Sequence, residues 1–292
     1  MMMLENLPLV RDYLRAAAQL YGRIPLDALY SIFASHNGDR LTAEVFCQLA
    51  RSAQGPSEIF RIIGDDDIYR RDISVADTDR WLVHRKYCYA TWDELFTLEY
   101  NQRGKMLHHF PKEQMLSYAD PEYIPCTPQV CELEEQLAKC TQNLLPLSRV
   151  LRQALLLAMA DRNAATFIEE MRRLGCRFDT SEAQTQMVHC YKQVYDTIPK
   201  PIHNGNSEHE LVAVLNLTEP LKRYYLWFCP PTEKDDFYGI LHGKPAELPP
   251  TGVTEHQRFL DRCMQCQTLP HRLFDPCHCG SGLYYTDCCG KR

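Results

Sequence analysis

The stretch that decides the fold runs from Leu147 to Ala158 and reads LSRVLRQALLLA. Its apolar residues recur at intervals of three and four, which is the period of one face of an α-helix. They are Leu147, Val150, Leu151, Ala154, Leu155 and Ala158. A stripe this wide and this apolar indicates a helix that is buried against other helices. We therefore place it at the centre of a mainly α-helical domain.

Helical patterns continue on both sides of this stretch and predict an all-helical domain over residues 126–219. The residues upstream that share one stripe are Leu133, Leu137 and Leu144. Downstream, Gly175 is the residue type expected at a left-handed helix end. Asp179, with Glu182 three residues later, predicts the start of the next helix.

Residues 1–125 predict a different arrangement, with three helices followed by a short β-hairpin. Thr42 is expected to cap the third helix, because its hydroxyl can accept from the free backbone N–H groups of the first turn. The hairpin is expected to pair a strand at residues 59–63 with a return strand at 68–69. Three helices and a hairpin outline a winged-helix-like domain.

The C-terminal part divides into a linker at residues 220–253 and a terminal region at 254–292. Six of the 18 prolines lie between Pro220 and Pro250, and such a density is typical of linkers. The terminal region begins with a predicted helix and ends with a cysteine-rich tail.

The tail carries two pairs of cysteines, Cys277 with Cys279 and Cys288 with Cys289, separated by eight residues. Structural zinc sites take four such ligands in a tetrahedron. The glycines that flank Ser281 allow the tight reversal that brings the two pairs together. The spacing therefore predicts a small zinc knuckle with Zn²⁺ bound by these four thiolates.

Other interpretations of the cysteines remain open at this point. The four thiols of the tail could form disulfides or hold an iron–sulfur cluster, although adjacent cysteines and a reducing compartment favour zinc. His278 could replace one thiolate as a ligand. Cys263 and Cys266 could form half of a second metal site, but they also lie on one face of the predicted helix and fit buried apolar contacts.

The tail resembles the SEC-C motif, the zinc-binding module found at the C-terminus of the SecA translocase motor. The matching residues are Pro276, Cys277, Cys279, Gly280, Ser281, Gly282, Tyr285, Cys288, Cys289 and Gly290. The resemblance covers residues 276–290 alone, and it implies that the four cysteines bind zinc. It also implies that Ser281, Tyr284 and Tyr285 present a surface to a protein partner. The chain has no P-loop, so the resemblance does not extend to the motor.

Composition limits the other classes of function. The net charge of −6 disfavours general binding to nucleic acid, so a nucleic-acid partner is possible but not favoured. The start of the chain does not resemble a signal peptide, and no apolar run is long enough to span a bilayer. We therefore expect a cytoplasmic protein with reduced thiols.

Motifs of known catalytic sites are missing from the sequence, and the chemistry of the chain is concentrated in the tail. We expect a bacterial zinc-binding protein that docks on another protein through its tail and favour a non-enzymatic role, with an enzyme site in the helical body left open. The alternative is a nucleic-acid-associated regulator that uses the N-terminal winged-helix-like domain.

Overall fold

The computed structural model describes residues 2–38, 40–64, 66–67, 75–88, 93–102, 105–141 and 145–215. These residues are mainly α-helical, as predicted, and they include a small three-stranded sheet. The predicted linker at 220–253 and the predicted zinc knuckle within 254–292 lie outside the described residues. The described residues form two compact units, one from 2–90 and 107–208 and the other from 91–106 and 209–215.

The first unit opens with the helices α1 (Met2–Tyr21), α2 (Leu26–Asn37) and α3 (Ala43–Ser52). Gly22 follows α1 with a φ of 67°, and its N–H donates to the carbonyl of Ala18. The predicted cap at Thr42 is confirmed, because its hydroxyl accepts from the backbone N–H of Val45 at 3.4 Å.

A three-stranded antiparallel sheet joins these helices and contains β1 (Arg23–Pro25), β2 (Phe60–Ile63) and β3 (Trp81–His84). The strand β3 is central, and Leu82 pairs with Ile24 on one side and with Ile62 on the other.

The predicted strand at 59–63 is thus confirmed as β2, and its four residues pair with the four residues of β3. The predicted return strand at 68–69 lies outside the described residues.

The core of this region consists of aromatic and aliphatic side chains from α1, α2, α3 and the sheet. Phe33 is its centre, since its ring lies 5.1 Å from the ring of Tyr13 and 5.1 Å from the ring of Phe46. All three rings are fully buried, and aromatic pairs at this distance add to the free energy of burial. The short helix α5 (Lys112–Ser117) contributes Met115 to the same core.

A second core of the first unit is entirely helical. It is formed by α6 (Pro128–Cys140), α7 (Leu147–Met159), α8 (Ala164–Arg173) and α9 (Ser181–Thr197). The apolar stripe that predicted α7 is confirmed, with Val150, Leu151, Ala154, Leu155 and Ala158 all buried.

The ends of these helices lie at or next to the capping residues that the sequence predicts. Gly175 follows α8 with a φ of 92°, as expected of a left-handed helix end. The predicted start of α9 at Asp179 is one residue early, because Thr180 is the cap and its hydroxyl accepts from the N–H of Ala183 at 3.1 Å. The rings of Phe167 and Tyr191 stack at 3.9 Å and fix α8 against α9.

The second unit contains α4 (Asp93–Gln102) and most of α10 (Glu208–Leu215). No helix in the described ranges combines the length and the apolar content that crossing a bilayer requires.

Candidate functional site

The residues predicted to bind zinc or a partner lie beyond residue 215, outside the part of the chain that the structure describes. They are Cys277, Cys279, Cys288 and Cys289 for zinc, Ser281, Tyr284 and Tyr285 for a partner, and Cys263 and Cys266 for a second metal. Their assignments stay predictions. Within the described residues, the densest group of chemically active side chains lies at the end of the second core, where α7 and α9 terminate.

The first member of this group is Asp161, which follows the C-terminus of α7. The N–H of Asp161 donates to the carbonyl of Ala158 at 3.1 Å, and the N–H of Arg162 donates to the carbonyl of Leu157 at 2.9 Å. This pair of bonds is the Schellman helix ending, in which the residue at the Asp161 position is usually glycine. Asp161 has a φ of 58°, which costs a residue with a Cβ about 1 kcal/mol. Aspartate is one of the few residues besides glycine that adopts this conformation, and here it places a carboxylate at the end of α7.

The second member is Lys200, in the loop between α9 and α10. Proline stands on each side of Lys200 and ends α9, as the sequence predicts. The N–H of Lys200 donates to the carbonyl of Asn206 at 3.1 Å. Its carbonyl accepts from the N–H groups of His203 and Gly205 at 3.0 and 3.1 Å. The loop therefore folds around the backbone of Lys200 and holds it in one place.

The side chain of Lys200 is completely buried and bridges two carboxylates. Its Nζ donates to Oδ1 of Asp161 at 2.8 Å and to Oε1 of Glu208 at 2.5 Å. The same Nζ lies 3.1 Å from the centroid of the Tyr195 ring, and the Tyr195 hydroxyl donates to Oδ1 of Asp161. Each direction of the ammonium group therefore meets a negative charge or the electron-rich face of a ring.

His203 completes the cluster and is also fully buried. Its Nε2 lies 3.9 Å from Oε1 of Glu208, close enough for the two charges to interact. Burial alone would raise the pKa of Glu208, but hydrogen bonding from His203, together with the charge and hydrogen bond of Lys200, outweighs burial and lowers it. Burial, together with the charges of Asp161 and Glu208, raises the pKa of Tyr195. Glu208 is thus ionised at neutral pH, while Tyr195 keeps its proton and acts as a donor.

Three members of the cluster have the ligand types of a metal site, since atoms of Asp161, His203 and Glu208 lie within 4.8 Å of one another. The ammonium of Lys200, however, is bonded to both carboxylates. A divalent cation about 4 Å from this ammonium would be repelled by about 8 kcal/mol at an effective dielectric of about 20. Lys200 therefore provides the positive charge that a metal would otherwise supply. The donor set fits a buried ion pair better than a metal centre.

The sequence analysis did not identify this cluster. Asp161 follows α7 and is bonded to Lys200 and Tyr195, and His203 is buried beside Glu208. The signals that could have found the cluster are an aspartate where a helix end favours glycine and a lysine flanked by two prolines.

A second ionic cluster lies beside β3, around the nearly buried guanidinium of Arg80. Its Nη2 donates to Oδ2 of Asp66 at 2.8 Å, and its Nη1 donates to Oδ2 of Asp67 at 3.2 Å. The hydrogen bond from Arg80 lowers the pKa of Asp66. Arg51 on α3 pairs with Asp77 at 2.7 Å. These arginines neutralise carboxylates of the protein itself.

Comparison of the chain with protein-family models, with curated proteins and with solved structures yields no match.

Proposed function

We propose that this chain is a cytoplasmic zinc-binding protein whose C-terminal tail docks on a protein partner. The proposal rests on one observation in the sequence, the complete set of four cysteine ligands in the last sixteen residues. The described helices provide a folded body that carries this tail. The buried clusters of the body pair their charges with one another, as structural ion pairs do. The proposed function therefore rests on the tail.

Zinc suits the tail because it needs four soft ligands and a tight turn between them. The Cys277 and Cys279 pair and the Cys288 and Cys289 pair supply the thiolates at Zn–S distances of about 2.3 Å. The glycines beside Ser281 let backbone N–H groups approach the sulfur atoms and hydrogen-bond to them. Four thiolates leave two net negative charges on the centre. Basic residues near the quartet can offset part of that charge; they are Arg272, Lys291 and Arg292.

Docking is proposed because the knuckle carries side chains that its zinc does not need. Tyr284 and Tyr285 lie between the ligand pairs, and tyrosine is enriched in protein interfaces because its ring is apolar while its hydroxyl is polar. Ser281 adds a hydrogen-bonding group at the turn. The proline-rich segment at 220–253 is proposed to separate this surface from the helical body.

Affinity capture with the full-length chain tests the docking proposal. The test variant is Cys288→Ser/Cys289→Ser, which removes half of the ligand set. The matched control is Cys126→Ser/Cys131→Ser, which changes two exposed cysteines outside the quartet. A protein retained by the wild type and by the control but lost from the test variant would support docking. Identical sets of captured proteins from all three would exclude it. Unchanged helix content by circular dichroism shows that the body of each variant is folded.

The second candidate function is nucleic-acid association through a winged-helix-like domain at residues 1–125. One observation favours it. The order α1, β1, α2, α3, β2, β3 and the sheet order β1-β3-β2 correspond to that arrangement. In such a domain α3 would be the helix presented to DNA.

The charges on α3 favour protein contacts over nucleic acid. The exposed residues of α3 and its cap are Thr42, Glu44, Gln48, Arg51 and Ser52. Arg51 is the basic residue of this helix, and it is paired with Asp77, which weakens its attraction for phosphates. A mobility-shift titration of duplex DNA at about 20 mM and at about 200 mM salt tests whether this domain binds nucleic acid. Charge contacts with phosphates are strongest at low salt. A shift that weakens at high salt would support this candidate, and no shift at low salt would exclude it.

A further inference from the structure

The start of α6 brings two cysteines together through its helix cap. Thr127 is the N-cap residue, and its hydroxyl accepts from the N–H of Val130 at 3.3 Å. The residue before an N-cap and the fourth residue of the helix commonly contact each other in the hydrophobic staple. In this helix those two positions are Cys126 and Cys131. Apolar side chains usually occupy them, and here both are thiols.

Backbone hydrogen bonds hold both members of the pair. The N–H of Thr127 donates to the carbonyl of Pro125 at 3.2 Å, which makes a tight turn centred on Cys126. The N–H of Cys131 donates to the carbonyl of Thr127 at 3.0 Å, which is the first regular turn of the helix. The turn and the helix together fix the direction in which each side chain leaves the backbone.

Both thiols are open to solvent, which sets them apart from the other described cysteines. Cys126 and Cys131 are exposed, whereas the remaining ones are buried or half-buried. Those are Cys47, Cys88, Cys140, Cys176 and Cys190. A soluble disulfide can therefore reach this pair without any opening of the core.

We propose that Cys126 and Cys131 are a redox-active dithiol that closes reversibly into a disulfide across the N-terminus of α6. The disulfide form is a covalent version of the hydrophobic staple. Its ring spans the cap residue Thr127, so it ties the segment that ends at Pro125 to α6. The helix start, which can fray while the thiols are reduced, is then locked.

The chemistry is thiol–disulfide exchange with a small disulfide such as oxidised glutathione as the co-reactant. The thiolate of Cys126 attacks one sulfur of the small disulfide, and the S–S bond breaks to release one thiolate. Cys131 loses its proton to solvent and attacks the sulfur of Cys126 in the mixed disulfide, which releases the second thiolate. The protein loses two protons and two electrons, and the small disulfide gains them to become two thiols.

The order of these two steps follows from the surroundings of Cys131. Desolvation raises its pKa, and the neighbouring Cys126 sulfur, Glu134 and Glu135 raise it further. These influences disfavour the thiolate of Cys131, so we assign the first attack to Cys126. Cys131 then resolves the mixed disulfide once the sulfur of Cys126 is held beside it.

Peptide mapping of the full-length chain tests this proposal directly. Trypsin releases residues 113–139 as one peptide whose only cysteines are Cys126 and Cys131. We expect incubation with oxidised glutathione, followed by alkylation, to give this peptide without alkyl groups and about 2 Da lighter than its dithiol form. Dithiothreitol should restore both alkylation sites. Under the same conditions the half-buried Cys88 and Cys140 should remain alkylatable after unfolding.

Two single variants distinguish a pair of thiols that react together from two thiols that react independently. In Cys131→Ser, Cys126 should keep a stable glutathione adduct, because the resolving thiol is missing. In Cys126→Ser, Cys131 should form its adduct at least several-fold more slowly than Cys126 does. The proposal fails if the wild-type peptide carries two separate glutathione groups, or if both cysteines stay free while Cys88 or Cys140 is oxidised.

Discussion

The Nζ of Lys200 lies 2.8 Å from Oδ1 of Asp161, although the two residues are 39 positions apart in the sequence. Asp161 ends α7, and Lys200 lies in the loop that follows α9. The ion pair therefore joins the ends of two helices of the second core, and Glu208 extends it to the start of α10. A lysine with no solvent contact is stable only when such partners replace its water shell.

Replacement of Lys200 by methionine should destabilise the protein by about 3–5 kcal/mol, because it leaves two partly or fully buried carboxylates without their cation. Methionine has a similar volume, so the loss reflects charge and not a cavity. Chemical unfolding in urea, followed by circular dichroism, measures the change. Lys192→Met is the matched control on the exposed face of α9 and should change the free energy of unfolding by less than about 0.5 kcal/mol.

The triple variant Asp161→Asn/Lys200→Met/Glu208→Gln distinguishes an uncompensated charge from a loss of packing. Neutral groups of the same shape can replace a buried ion pair with little loss of stability. We expect the triple variant to be more stable than Lys200→Met alone. If it is less stable by a further 2 kcal/mol or so, the ion-pair explanation is wrong.

Acid should weaken the fold partly through Glu208. Folding lowers the pKa of Glu208 below its ordinary value of about 4.5, so the ionised form stabilises the folded state above that pH. This contribution is lost as the pH falls through the lower, folded-state pKa. The unfolding free energies of the wild type and of Glu208→Gln should therefore differ near pH 6 and converge as the pH falls below the folded-state pKa of Glu208.

The exposed Glu182 provides the comparison for this titration. Glu182→Gln changes a carboxylate whose interactions are with solvent and its own helix cap. Hydrogen bonds at this cap also lower the pKa of Glu182, but solvent screens the exposed carboxylate, so Glu182→Gln should change stability with pH much less than Glu208→Gln does. A constant difference between wild type and Glu208→Gln at all pH values would mean that the charge of Glu208 does not stabilise the fold.

Gly205 should be among the least replaceable residues of the loop around Lys200. It has a φ of 80°, and a Cβ at this position would lie 2.7 Å from Cε1 of the buried Tyr21. Gly205→Ala should therefore cost about 1 kcal/mol for the backbone and about 1–3 kcal/mol for overpacking.

The backbone cost alone sets the lower limit of this loss. A loss of only about 1 kcal/mol for Gly205→Ala in urea unfolding would show that the loop does not pack tightly on Tyr21.

Local sequence patterns predicted the helices because those patterns record which side of an element is buried. The apolar period of α7 and the caps at Thr42 and Gly175 depend on residues that are near in sequence. The strand β3 was missed because residues 73–125 show no helical or alternating pattern strong enough to place it. Its role as the central strand depends on pairing with β1 and β2, which lie far from it along the chain.

The cluster around Lys200 could not be predicted from the sequence for the same reason. Asp161, Tyr195 and Glu208 become its partners only after α7 and α9 have packed together. The pair formed by Cys126 and Cys131 differs, since it depends on one helix cap. The Pro-Cys-Thr-Pro sequence at 125–128, which spans the cap and the first residue of α6, marks that cap in the sequence.

The measurement that tests the proposed function most directly is native mass spectrometry of the full-length chain, purified without chelators. We expect one zinc ion per chain, which a chelator removes, and loss of that zinc in Cys288→Ser/Cys289→Ser but not in Cys126→Ser/Cys131→Ser. Alkylation should modify the cysteines of the tail only after zinc is removed. A metal-free wild-type chain whose four tail cysteines are alkylated at once would contradict the proposal.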